Sequence, residues 1–231
     1  MNLFSTVTIM PTRFSFSASK EKMKRQFNID HKSTLQQSFN IGAMQNAYVR
    51  TSEQESLQVY TWGLIPHWAK DKKVGENLIT AQAEGIASKL SFRLPIRQRR
   101  CLVFADSYYW WKKEGREYFP YRVQLASSDL MTFAGVWDTW VDSNGEALPT
   151  FSIITTAANS YLSEFGAARM PAILGTEEAR QTWLYGEQLP AALDLLQPFQ
   201  AAPMEAYSIS NAIDSLQNNY PELHKPLPTK A

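Results

Sequence analysis

The chain has 231 residues, 44% of them hydrophobic and 13% aromatic, and a formal net charge of +1. Such a length and apolar fraction allow a sizeable core. The near-neutral balance excludes the bulk basic footprint that drives non-specific nucleic-acid binding, though not a local basic cleft.

The segment up to Phe16 alternates weakly and predicts a strand followed by a loop. Ser19 is suited to cap a helix over Lys20 to Phe27, with Met23 and Phe27 four apart on one face. Its lysines and Arg25 form the densest basic cluster in the chain, read as a solvated helix face. Tyr48 to Arg50 and Leu57 to Trp62 predict a hairpin around the polar loop Thr51 to Ser56. Lys70, Lys72 and Lys73 fall on a loop, and Arg93, Arg97, Arg99 and Arg100 make a basic run without acidic neighbours, favouring an anion contact. Cys101 to Phe104 is a buried-strand signal, so Cys101 reads as a structural thiol. As the single cysteine it excludes an internal disulfide and a cysteine-based zinc cluster.

Four aromatics follow the Asp106-Ser107 turn. In an extended strand Tyr108 and Trp110 share one face and Tyr109 and Trp111 the other, one pair in the core and the other on a sheet surface or cleft. Pro120 to Leu125 and Leu130 to Trp137 predict antiparallel strands around Ser127-Ser128-Asp129, and Asp142 to Gly145 predicts a second hairpin turn. Phe151 to Thr155 is a β-branched strand leading to a helix over Ser160 to Phe165. Thr176 caps a further helix ended by Gly186, Ala191 to Phe199 predicts a last one, and the Pro-rich tail from Asn218 reads as extended. With no internal repeat, low-complexity tract or linker, residues 1–231 read as one α+β domain, its β-barrel-like core of mostly antiparallel strands flanked by helices. No secretory h-region or membrane-length apolar run is evident, so a cytoplasmic location without a membrane partner is expected. No glycine-rich phosphate loop or paired histidines at metal spacing occur; no metal or cofactor is expected.

The stretch Arg99 to Gly115 resembles the signature Arg-Arg-Cys-Leu-(Ile/Val)-Pro-Ala-Asp-Gly-(Phe/Tyr)-Tyr-Glu-Trp of the SRAP (SOS response-associated peptidase) family. So do Trp62 to Lys70, Phe133 to Trp140, Phe151 to Asn159, Arg169 to Leu174 and Pro221 to Pro226, in the family's order. The resemblance implies an SRAP fold and abasic-site processing in single-stranded DNA. In the family, a cysteine after the initiator methionine condenses through amine and thiol with the ring-opened sugar aldehyde, giving a thiazolidine crosslink.

Against that pattern this chain carries Asn2 for the nucleophile, Thr80 for the orienting asparagine, Trp110 for the carboxylate and Ala167 for the histidine. Phe4 and Gln82 stand where the family has phosphate-holding arginines, and an asparagine at position 2 disfavours methionine excision. No catalytic residue is therefore assigned. The expectation is a degenerate family member that binds single-stranded or damaged DNA without a covalent bond, in a DNA-damage (SOS) setting. Asn40 is carried over from the family's loop beside DNA, and Trp68, Lys70, Arg93 and Arg169 complete the expected DNA-binding set. His67, Asp106 and Asp138 read as a surface histidine and two structural carboxylates. The alternatives are an active crosslinking or self-processing enzyme, and a pseudoenzyme used as a protein-interaction module, its old pocket plugged by Trp110 and Phe4.

Overall fold

The chain enters on β1 (Phe14–Phe16), in a computed structural model that describes residues 12–228. Helix α1 (Lys20–Phe27) forms as its signals predict: Ser19 accepts the Lys22 N–H at 3.2 Å, and Met23 and Phe27 are buried. β2 (Ser38–Ile41) runs back along β1, and β3 (Asn46–Thr51) with β4 (Gln58–Trp62) makes the expected hairpin, Tyr48 opposite Val59. Short elements α2 (Val74–Asn77), β5 (Thr80–Gln82) and α3 (Pro95–Gln98) lead into β6 (Arg100–Ala105), buried at every position. Burial pushes the Cys101 thiol up, as suits an inert structural cysteine.

β7 (Ser107–Glu114) and β8 (Glu117–Leu125) turn tightly at Gly115, which has φ +63. β9 (Met131–Val141) and β10 (Ala147–Ala157) form the hairpin expected at Asp142 to Gly145, with Gly145 at φ +84. Then come α4 (Ser160–Glu164), capped by Asn159, β11 (Arg169–Pro171), α5 (Glu177–Tyr185), capped by Thr176, α6 (Leu189–Asp194) and β12 (Met204–Ser208). The last helix begins and ends earlier than expected; Leu195 already caps it.

Strands β10, β4, β3, β6 and β9 pair in that order, and β9 pairs back onto β10, closing a five-stranded barrel. Every joint is antiparallel except β10 with β4. A second sheet, ordered β12-β8-β7-β1-β2, packs on the barrel through Phe14 and Tyr108. Phe14 meets Trp62 at 4.9 Å between ring centres and Tyr108 meets Phe133 at 6.0 Å, both edge-on. Here the sequence expectation needs correction. β8 and β9 are not partners: the turn at Ser127 to Asp129 carries the chain from one sheet to the other, while β8 pairs with β7 and β12.

The aromatic run divides as strand geometry requires. Tyr108 and Trp110 join the main core; Tyr109 and Trp111 face a second cluster with Ile209, Ile213 and Leu223. The tail is not simply extended, because single-turn helices at Asn211–Asp214 and Pro221–His224 lay it over Tyr109 and Trp111. A buried polar network joins tail to sheet. Asp106 accepts hydrogen bonds from Ser15 and from the Ser17 hydroxyl at 2.6 Å, and Arg122 reaches it at 3.4 Å. His224 donates from Nε2 to the Tyr109 hydroxyl at 3.0 Å, and that hydroxyl donates to the Phe39 carbonyl.

Burial, aided by Arg122 and opposed by Asp106, holds the His224 imidazole down to about 4. Its folded-state value lies below the unfolded 6.5, so neutral His224 stabilises the fold above that pH and protonation opposes it below. Burial works against the Asp106 charge, but His224, the serines and Arg122 prevail and lower it, so its contribution is lost only at still lower pH. Stability should therefore fall by roughly 2–3 kcal/mol between about pH 6.5 and 4. Urea unfolding across that range checks this, and His224→Gln should flatten the profile.

Candidate functional site

The far end of β10 gathers several of the positions singled out in the sequence. β5 runs parallel to it, with Thr80 beside Ile153 and Gln82 beside Thr155, and β11 flanks the other edge, with Arg169 beside Ala157. Ala167 is buried just before β11. Trp110 faces inward opposite Tyr121, whose ring packs on Phe165 at 5.8 Å, so the indole lies towards the α4 end that Ala167 follows. The Trp110 indole N–H is buried without an acceptor among the described residues. Neither the Trp110 indole nor the Ala167 methyl can move a proton at neutral pH. Asn2 and Phe4 lie outside the described residues, and so does the plug assigned to Phe4.

Two expected DNA contacts are taken up within the protein, Asn40 in the interior and Arg169 in an ion pair. Asn40 is 1% exposed, and its Nδ2 donates to the carbonyls of Ile213, Ser215 and Asn218 at 2.9–3.1 Å. It fastens the tail to β2 and cannot reach a ligand at the surface. Arg169 holds Glu84 through two hydrogen bonds, 2.9 and 2.8 Å, and also donates to the Thr155 carbonyl. That bond to Arg169 is the main reason the Glu84 carboxyl lies below the usual range. A guanidinium so engaged offers little to a phosphate.

The basic run is likewise split by the fold. Arg99 turns onto Asp138, and Arg100 is buried, donating to the carbonyls of Trp183, Ile96 and Gly186. Arg100 thus satisfies the C-terminal end of α5, a favourable place for a cation. Arg93 remains exposed, with no acidic partner among the described residues.

The arrangement best suited to a ligand is the turn after β4. Ile65 N–H donates to the Thr150 hydroxyl at 2.8 Å, and Ala69 N–H to the Pro66 carbonyl at 2.8 Å. The Trp140 indole donates to the Ala69 carbonyl at 2.7 Å. His67 gives both its backbone N–H and its ring Nδ1–H to Asp138 Oδ2, at 3.0 and 2.9 Å. Asp138 is buried and also accepts from Arg99 and the Thr139 N–H. Both carboxylates therefore have the structural role expected of them. Trp68, between these anchors, is 49% exposed. Exposed Lys70, Lys72 and Lys73 follow it, without an ion pair among the described residues. The sequence singled out Trp68, but not the pairing of His67 and Arg99 with Asp138, whose partners lie 71 and 39 residues away.

Among the described residues no three His, Cys, Asp or Glu side chains converge as a metal site, and no helix is long and apolar enough to cross a membrane.

The family described as SOS response associated peptidase (SRAP) matches residues 10–216. "Abasic site processing protein YoqW" of Bacillus subtilis is 39% identical over 219 residues, covering 91% of this chain and 97% of that protein. Mouse "Abasic site processing protein HMCES" is 34% identical over 197 residues, 71% of this chain and 55% of that longer protein. A crystal structure of a Bacteroides thetaiotaomicron protein superposes with a TM-score of 0.84 at 31% identity, covering 94% of this chain and all of that one. A Bordetella bronchiseptica structure, at 20% identity and TM-score 0.75, shares the fold.

Proposed function

Because this chain belongs to the SOS response-associated peptidase (SRAP) family, we propose that it binds single-stranded DNA, damaged strands included, without forming the thiol-based crosslink. The observation that carries this reading is Trp68, a half-exposed indole on a turn fixed by hydrogen bonds and followed by three lysines free of ion pairs among the described residues. An indole face stacks on any base, and lysines beside it meet the backbone through charge. The loss of crosslinking rests on composition: the chain's one cysteine is buried Cys101, and Trp110 and Ala167 supply no proton donor or acceptor of suitable pKa. Fluorescence anisotropy with a labelled single strand at two salt concentrations tests it. Salt-sensitive binding is expected; none at low salt would refute it.

A second reading is favoured by where the family match begins. Laid from Met10, a Met-Cys-Gly-Arg start falls on Met10-Pro11-Thr12-Arg13 rather than on residues 1–4. That register moves the nucleophile position from Asn2 to Pro11, and retains as Arg13 the arginine that the first register replaces with Phe4. Arg13 Nη2 donates to the Asp214 carbonyl at 3.2 Å, while its Nη1 is buried without a partner among the described residues. A form starting at Met10 and losing that methionine presents the secondary amine of Pro11. Such an amine adds to an aldehyde carbon and loses water, leaving an iminium ion that borohydride reduces to a stable amine. Borohydride-trapped adduct on an abasic strand, from the 11–231 form and not the full chain, would establish this reading; none from either would exclude it.

A further inference from the structure

Where edge strand β2 parts from the barrel strands β3 and β4, a cavity of about 280 Å³ opens at the seam of the two sheets. Its polar wall consists of carboxamides and hydroxyls, among them Gln36, Gln45, Asn46, Asn219 and Tyr48, and among the described residues no charged side chain lines it. Hydrogen bonds to the protein fix the orientation of Gln45, Asn219, Asn46 and Tyr48. Gly42 N–H donates to Gln45 Oε1 at 2.9 Å, and Phe39 N–H donates to Asn219 Oδ1 at 2.6 Å. A backbone N–H can only donate, so the amide oxygens face the backbone and the NH₂ groups are left for the cavity. The Tyr48 hydroxyl accepts from Gln36 N–H at 2.8 Å and keeps its own proton to give. Asn46 Oδ1 accepts from the Thr61 hydroxyl at 3.1 Å, freeing a third NH₂ group.

Asn40 also lines the cavity with an Oδ1 that is buried and has no partner among the described residues, but the oriented groups are uncharged donors, and they select an acceptor-rich, uncharged ligand. A phosphate here would meet no cation, which disfavours the DNA backbone. The volume lies just below the range of drug-sized pockets, a fit for one small planar ring. Phe16 and the half-buried Tyr48, whose rings lie 5.0 Å apart, supply an apolar and stacking surface. We infer that this cavity takes a single extruded nucleobase through its carbonyl oxygens, favouring thymine or another keto base over adenine. Thymine offers O4 as an acceptor, whereas adenine turns its N6 amine, a donor, against the NH₂ groups of the wall. A base reaching the cavity leaves the stack, as a single strand allows at low cost. The inference rests on the single-strand reading above and adds a base preference to it.

Gln45→Glu is the informative variant, because it keeps the oxygen that Gly42 needs and replaces the NH₂ donor by an acceptor. Anisotropy with oligothymidine and oligoadenine of equal length should show tighter binding of oligothymidine by wild type. The variant should lose about tenfold for oligothymidine. The oligoadenine arm measures the effect of the added charge, which acts on both strands alike. Equal wild-type affinities, or equal losses on both strands, would overturn the base pocket while leaving strand binding intact. If wild type binds neither strand, the proposed function fails, and free thymidine decides the pocket separately. Shifts in the side-chain amide resonances of Gln45 and Asn219 would uphold it, and unmoved resonances would reject it.

Discussion

Trp68→Ala is expected to weaken binding of single-stranded DNA by about 1–3 kcal/mol, roughly 5- to 150-fold, without lowering the melting temperature. The expected size follows from how the turn is built. The Trp140 indole and buried Asp138 hold it on either side of Trp68, and Pro66 closes it. An indole held on such a frame has little left to order on binding, so stacking energy is retained. Half of its surface already faces solvent, so truncation removes little packing. Replacing Lys70, Lys72 and Lys73 together should instead flatten the salt dependence, because each phosphate contact contributes to its slope. An unchanged affinity in Trp68→Ala would remove the observation on which the functional reading stands.

Asp106→Ala should cost about 3–5 kcal/mol of stability, the range for removing one partner of a buried ion pair. The carboxylate is 8% exposed and serves Ser15, Ser17 and Arg122, joining β1 to the β7–β8 hairpin. Its loss leaves the Arg122 guanidinium, 11% exposed, without its countercharge, though Ser107 and the Tyr207 hydroxyl still accept from it. Asp106→Asn should cost less, since its one amide oxygen still accepts from either Ser15 or Ser17, though not from both. Urea midpoints at pH 7 for both variants check the order. A loss below about 1 kcal/mol in the alanine variant would mean that the network is dispensable.

Local signals were legible where short-range physics decides the outcome. The Ser19 cap, the Asp142 to Gly145 turn and the alternation from Tyr108 to Trp111 each depend on a few adjacent residues and appear as expected, except that Tyr109, expected on a sheet surface or in a cleft, is buried under the tail. Partnering between strands is not a local property. Ser127 to Asp129 reads as a hairpin turn, yet β8 finds β7 through the tighter Gly115 turn, and β9 is drawn into the barrel. The parallel joint of β10 with β4 carries no signature in either strand. Charged residues were the least legible. Arg99, Arg100 and Arg169 look alike in sequence to Arg93, but a buried carboxylate, three carbonyls and Glu84 respectively take them up. Asn40, expected beside DNA, is instead buried, because three tail carbonyls claim its amide. Trp68 was legible because an aromatic inside a polar, lysine-bearing loop has nothing local to bury it.

The most direct test of the account incubates the full chain with a labelled single strand containing one abasic site, then compares a denaturing gel with anisotropy at low and high salt. Salt-sensitive binding and no band of protein-linked DNA are expected, since Cys101 is buried and Trp110 and Ala167 hold no groups for proton transfer. A covalent band that survives denaturation would contradict it and return the chain to the crosslinking chemistry its family resemblance implies.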